Sequence, residues 1–142
     1  VFNAYGPPQP LPASHPPVVP RFLQGALTGG SLVIHGDGSQ TRDYVYVSDV
    51  VDALVAASTA GTVDQLVINV GSGNEVSVRD LMNEVSAVVG QTLEPILSTT
   101  ENGGVQRMSA DLDLAANKLA YTPSVSITEG LRLTMETDER FK

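Results

Sequence analysis

Apolar residues fall into short blocks whose spacing switches between a helical and a strand period. Val18 to Leu27 is an apolar block closed by Gly29-Gly30, which predicts a helix with a glycine stop. Ser31 to Ile34 predicts a strand, and His35-Gly36-Asp37-Gly38-Ser39 the turn after it. Arg42 to Val47 alternates as a strand does. Ser48 is placed to cap a helix running to about Ala60, with Asp49 and Asp52 in its positive first turn. On that helix Val51, Leu54, Val55 and Ser58 share one face. Leu66 to Val70 predicts a further strand. Ser77, with Asp80 as the capping-box acid, opens a helix whose stripe is Leu81, Val85, Val88 and Val89 and whose stop is Gly90. Leu93 to Leu97 predicts a strand, and Asp111 caps a short helix broken at Thr122-Pro123. Ser126 and Glu129 form a capping box for a last helix to about Glu139, with Ile127, Leu131 and Met135 inward. This βα alternation predicts an α/β class with parallel strand pairing.

Proline is concentrated at Pro7, Pro8, Pro10, Pro12, Pro16, Pro17 and Pro20, so residues 6 to 17 are expected to be an irregular, extended loop. The 142 residues fit one domain or a piece of a larger one, and a 42% hydrophobic, 17% charged composition is that of a globular chain. A net charge of −8 repels a phosphate backbone and argues against nucleic-acid binding. The absence of Cys excludes disulfides and thiolate chemistry. His15 and His35 are far apart in sequence, and no metal site is expected. No apolar run approaches the roughly 20 residues of a membrane helix, so no membrane partner is expected.

Gly71-Ser72-Gly73 sits between a predicted strand and a predicted helix, the setting of a dinucleotide loop. Val76 stands where the third glycine belongs, which favours a tight turn. There is no Tyr-x-x-x-Lys, no Gly-x-Ser-x-Gly and no Walker motif. Arg42 opens a strand of otherwise uncharged residues and Asp43. Its planar fork suits a phosphate, and a surface pair with Asp43 or Asp37 suits it equally. Tyr44 and Tyr46 alternate on that strand and are expected to pack.

Phe2-Asn3-Ala4-Tyr5-Gly6-Pro7 is followed by Gly36-Asp37-Gly38-Ser39-Gln40-Thr41-Arg42-Asp43-Tyr44-Val45-Tyr46-Val47-Ser48-Asp49. Asn69-Val70-Gly71-Ser72-Gly73 comes next, then Arg107 four residues before Asp111, then Leu119-Ala120-Tyr121-Thr122-Pro123. In this order and spacing the motifs closely resemble the extended short-chain dehydrogenase/reductase family of nucleotide-sugar epimerases and dehydratases. The resemblance implies the C-terminal part of an NAD(P)-binding, Rossmann-like fold: a substrate-binding lobe plus elements that complete a cofactor domain. It implies residues 1–142 as a nucleotide-sugar-binding portion, with the glycine-rich cofactor loop and the catalytic Tyr/Lys pair outside it. It therefore implies no catalytic residue here.

The same resemblance assigns Asn3 to the diphosphate or sugar, Val33 and His35 to the flanks of the nucleobase, and Arg42 and Arg107 to a diphosphate clamp. It places Phe2 beside the nicotinamide. His35 stands where Tyr or Phe is usual, Pro8 where Arg is common and Ala120 where Gly is common, which leaves the subfamily open. The activity implied is that of a 4-epimerase acting on a UDP-sugar. A 4,6-dehydratase, a decarboxylase or a stand-alone binding module are the alternatives. NAD is implied for the full-length family and not expected to be held by this chain alone. A cytoplasmic setting is expected, as is association with a second copy or with a cofactor domain.

Overall fold

The computed structural model describes residues 1–12, 14–61, 63–99 and 104–142. Its strands are β1 (Asn3–Tyr5), β2 (Leu32–His35), β3 (Thr41–Arg42), β4 (Tyr44–Tyr46), β5 (Val76–Ser77) and β6 (Pro95–Ser98). Its helices are α1 (Val18–Thr28), α2 (Val47–Thr59), α3 (Val78–Val89), α4 (Asp113–Leu119) and α5 (Ile127–Thr137), followed by a helical turn at Glu139–Phe141. β1 pairs parallel to β4 in the register Asn3 with Tyr44 and Tyr5 with Tyr46. β2 pairs parallel to β6, with Leu32 opposite Pro95. β3 and β5 form a short antiparallel pair. The architecture is α/β with parallel strands, as the alternation predicts.

Helices α1, α3 and α5 pack side by side, with α3 between the other two. Phe22, Leu23, Leu81, Val85 and Leu131 are fully buried among them, together with Tyr5, Tyr44 and Tyr46 from β1 and β4. Each such side chain contributes about 1.5–3 kcal/mol on leaving water. Gly130 lets α5 approach the strands: a Cβ there would lie 2.0 Å from the Tyr5 hydroxyl. A second, smaller cluster joins Ala53 of α2 to Ala115 and Leu119 of α4, with Val70 and Tyr121.

Most helix ends follow the local chemistry. Gly29 and Gly90 close α1 and α3 in the left-handed conformation. Ser77 caps α3, accepting from Asp80 N at 2.9 Å and donating to Asp80 Oδ2 at 2.6 Å. Ser126 accepts from Glu129 N at 3.2 Å. The Glu129 carboxylate, however, receives both ends of the Arg132 fork. Asp111 serves α4 by accepting from Asp113 N at 3.0 Å, with the helix starting two residues later than it. The 6–17 segment is irregular, with a cis Pro7–Pro8 bond; Ala13 lies outside the described residues.

Several expectations are corrected. The Arg42–Val47 strand is broken at Asp43, and α2 begins at Val47 with Tyr46, not Ser48, as its cap residue. Asp49 does stand in the first turn of α2, but it is 2% exposed and its carboxylate also accepts from Ser124 N, Ser124 Oγ and Val125 N. Leu66 to Val70 forms no strand pair among the described residues, although Val70 O accepts from Phe2 N at 2.8 Å. The face of α2 that carries Val51, Leu54 and Val55 is open within this chain, with Leu54 and Val55 each 60% exposed. The side of α2 that packs within this chain carries Asp49 and Ala53. No helix among the described residues is long and apolar enough to cross a membrane.

Candidate nucleotide-sugar cleft

A cleft of about 400 Å³ opens beside β1, β2 and the first turn of α1. That volume lies within the range of about 300–1,000 Å³ usual for small-molecule sites. Its lining includes Asn3, Gln9, Arg21, His35, Arg42 and Tyr44. The elements that bring these together are sequentially distant, so parallel pairing of β1 with β4 decides the juxtaposition of Asn3 and Tyr44.

Asn3 is anchored twice on one carbonyl: its N and its Nδ2 each donate to Asp43 O at 3.1 Å. Arg42 Nη1 donates to Thr41 O at 2.7 Å and to Val105 O at 2.8 Å. Backbone carbonyls therefore aim its fork, and among the described residues it pairs with neither Asp43 nor Asp37. Asp37 instead folds its own turn, accepting from Ser39 N at 2.9 Å and Ser39 Oγ at 2.6 Å. Arg21, from α1, sends Nη2 toward Val33 O at 3.4 Å and lies over the Phe22 ring at 5.3 Å. Burial holds the Arg21 pKa below its ordinary value.

Gln9 Oε1, His35 Nδ1 and Tyr44 Oη are buried without a hydrogen-bond partner among the described residues, and all three side chains line this cleft. Leaving such an atom unpaired costs about 1–3 kcal/mol. Tyr44 is 5% exposed, and burial pushes its phenol up to about 12, with Arg42 and Arg21 opposing the shift. The cleft thus combines two cationic forks lacking a carboxylate partner among the described residues with polar atoms lacking partners. Its chemistry is that of a site for a polar, anionic ligand.

The other positions singled out in the sequence lie elsewhere. Val33 is on β2 with its side chain outward, beside a shallower depression shared with Arg21 and Gln24. Arg107 is 78% exposed and binds Glu75 in a fork-to-fork pair, both bonds at 3.0 Å. That pair lowers the Glu75 pKa and raises that of Arg107. Arg107 is not among the residues lining the cleft. Phe2 is partly buried and joins the Val70 end of the chain through its backbone.

Asp43 is the residue whose role the sequence motifs left unassigned. It is fully buried and accepts from Ser72 N at 2.6 Å, Ser72 Oγ at 2.8 Å, Gly73 N at 2.9 Å and Ala110 N at 2.9 Å. The Ser72 and Gly73 amides of this turn are therefore consumed by a carboxylate of the chain itself. A Cβ on Gly71 would lie 2.6 Å from Ala110 Cβ and 2.9 Å from Asp43 Oδ2. The turn does not fit the pyrophosphate of a dinucleotide. The signal was present: a single acid inside an uncharged strand must find donors once buried. Arg21, Gln9 and Tyr44 were also missed as cleft residues. Nothing in the helical pattern of 18–28 marks Arg21 as facing a cavity.

A family model described as the NAD dependent epimerase/dehydratase family matches residues 1–71, half of the chain. The chain belongs to that family. UDP-glucose 4-epimerase of Mycolicibacterium smegmatis is 40% identical over 134 residues, covering 94% of this epimerase/dehydratase chain and 42% of that protein. UDP-N-acetyl-alpha-D-glucosaminuronate decarboxylase of Bacillus cytotoxicus is 30% identical over 141 residues, covering 95% and 43%. Among solved structures, UDP-glucose 4-epimerase of Thermotoga maritima with UDP-glucose aligns with a TM-score of 0.87 at 38% identity, over 95% of this chain and 43% of that one. UDP-glucuronic acid 4-epimerase of Bacillus cereus, solved with UDP-glucuronic acid and NAD, aligns at 0.84 with 29% identity, over 94% and 41%. This family member thus spans less than half the length of these relatives and shares their Rossmann-like α/β fold over that part.

Proposed function

We propose that residues 1–142 are the nucleotide-sugar-binding portion of an NAD-dependent 4-epimerase acting on a UDP-sugar. One observation carries the reading: among the described residues, two guanidinium groups without a carboxylate partner and polar atoms without hydrogen-bond partners share a single cleft, in a chain of net charge −8. A nucleoside diphosphate supplies what such a cleft lacks, about two negative charges and acceptors at several points. In this reading the Arg42 fork, aimed by two carbonyls, binds the diphosphate. Asn3, held by Asp43 O through its Nδ2, keeps Oδ1 for a ligand hydroxyl. His35 lies against the nucleobase, and Val33 stays beside the separate depression it shares with Arg21. Arg107 remains with Glu75, outside the cleft. Phe2 borders the face where the nicotinamide would lie in a protein that includes a cofactor domain.

The Gly71 turn is filled by Asp43, so the NAD pyrophosphate is assigned to residues other than those of this turn. A UDP-sugar decarboxylase is the second reading, supported by the Bacillus cytotoxicus relative; the same cleft would hold the same nucleotide. Calorimetry of the 142-residue chain with UDP and UDP-glucose tests the proposal. Saturable binding of both is expected, with no retained NAD and no turnover of UDP-galactose. A chain folded by circular dichroism that binds neither nucleotide at millimolar concentration would overturn it.

A further inference from the structure

We infer that Arg21 is the second arm of the anion clamp in this cleft, acting with Arg42 in the part that the family resemblance assigns to Arg107. The inference rests on the nucleoside diphosphate reading above. Arg21 and Arg42 reach the same cleft from different elements, α1 and β3, and the buried Tyr44 and the half-buried His35 also line it. The hydrogen-bonding capacity of Arg21 is nearly unused. Among the described residues its one side-chain hydrogen bond, to Val33 O, is 3.4 Å long, beyond the roughly 2.7–3.2 Å of a well-made one. No carboxylate among the described residues pairs with it. The Phe22 ring at 5.3 Å supports the guanidinium without consuming its donors.

Tyr44 adds an independent sign of a ligand. Its hydroxyl has no hydrogen-bond partner among the described residues, on a residue only 5% exposed, and both arginines act on that phenol electrostatically. A bound anion would accept from this hydroxyl and from both forks at once. Arg107 offers the opposite arrangement. Its fork already matches a carboxylate at both ends, on an open surface where the charge is hydrated. A phosphate would have to displace Glu75 to gain what Glu75 already provides.

The test is calorimetry of the 142-residue chain with three probes, UDP, inorganic pyrophosphate and uridine. The variants are Arg21→Ala, Arg21→Gln, Arg21→Lys, Arg42→Ala and Arg107→Ala. Circular dichroism melts confirm that each variant is folded; Arg21→Gln keeps the stem over Phe22 if Arg21→Ala does not fold. Loss of either cleft arginine is expected to weaken UDP and pyrophosphate by about tenfold to a hundredfold, the range of one or two charge-assisted bonds, and to leave uridine unchanged. Arg21→Lys should recover only part of the affinity, because the charge survives and the planar fork does not. Arg107→Ala should bind UDP within about twofold of the parent chain. Unchanged UDP affinity in folded Arg21→Gln, or a tenfold loss in Arg107→Ala with none at Arg21, overturns the assignment and leaves the nucleotide reading standing. Weaker uridine with unchanged pyrophosphate in the Arg21 variants also overturns it, placing Arg21 on the base. A parent chain that binds none of the three probes overturns the nucleotide reading and the clamp with it.

Discussion

Replacing Asp43 by Asn tests whether one buried carboxylate organises the site. Asp43 Oδ1 receives Ser72 N and Ser72 Oγ, and Oδ2 receives Gly73 N and Ala110 N. Its backbone carbonyl receives Asn3 N and Asn3 Nδ2, so the residue ties β1, the Gly71 turn and the 110 segment together. In the Asp43→Asn variant an NH₂ would take the place of one oxygen and point its own donors at groups that are themselves donors. Two hydrogen bonds to a charged acceptor are lost, at roughly 1.5–3 kcal/mol each, and the space allows no rearrangement because Asp43 is fully buried. Loss of about 3–5 kcal/mol is expected, the usual cost of breaking a buried charged network on one side. Against a total of about 5–15 kcal/mol this is a large fraction. Urea unfolding followed by far-ultraviolet circular dichroism measures it, with the denaturant slope confirming that the unfolded state is unchanged. Ser72→Ala, which deletes the Oγ donor to Asp43 and the oxygen that accepts from Asn74 N, should lose about 1.5 kcal/mol. A loss below about 1 kcal/mol in Asp43→Asn would refute the idea that these four donors depend on the carboxylate.

Alkaline pH should destabilise the fold through its buried phenols. Burial raises Tyr44 and Tyr121 from 10.0 to about 12 and raises Tyr5 as well. The unfolded chain therefore releases these protons first. Stability is fully present below pH 10 and falls as pH rises from there through about 12. The melting temperature should decline over that window, and Tyr44→Phe should make the decline shallower; a flat profile to pH 12 would count against the burial. The open apolar face of α2 should be sticky. Leu54 and Val55 are 60% exposed and Val67, on the neighbouring extended segment, 90%. The chain is expected to associate in sedimentation experiments and to bind an apolar dye, and Leu54→Lys with Val55→Lys should reduce both. A compact monomer at high concentration without dye binding would contradict this.

Local chemistry made much of the scaffold legible. Glycine stops at Gly29 and Gly90, Ser77 and Ser126 as caps, and the stripe of α3 follow from backbone sterics and from side chains that bond within a turn, and the structure carries them as expected. Asn3, His35 and Arg42 were marked by the motifs around them, and all three line the cleft. The sequence could not show where α2 begins, because a buried Asp43 interrupts the strand before it and Asp49 is drawn off to Ser124 and Val125, 75 and 76 residues away. Nor could it show which face of α2 packs: the apolar side is uncovered within this chain, and the side carrying Asp49 and Ala53 is the one inside. Arg21 and Arg107 differ only by tertiary placement. Both are arginines among uncharged neighbours in sequence. One lines a cavity without a carboxylate partner among the described residues, and the other meets Glu75, 32 residues away, at the surface. Pairing between distant segments sets the electrostatic environment of each, and that environment decides which of two identical side chains is left to meet a ligand.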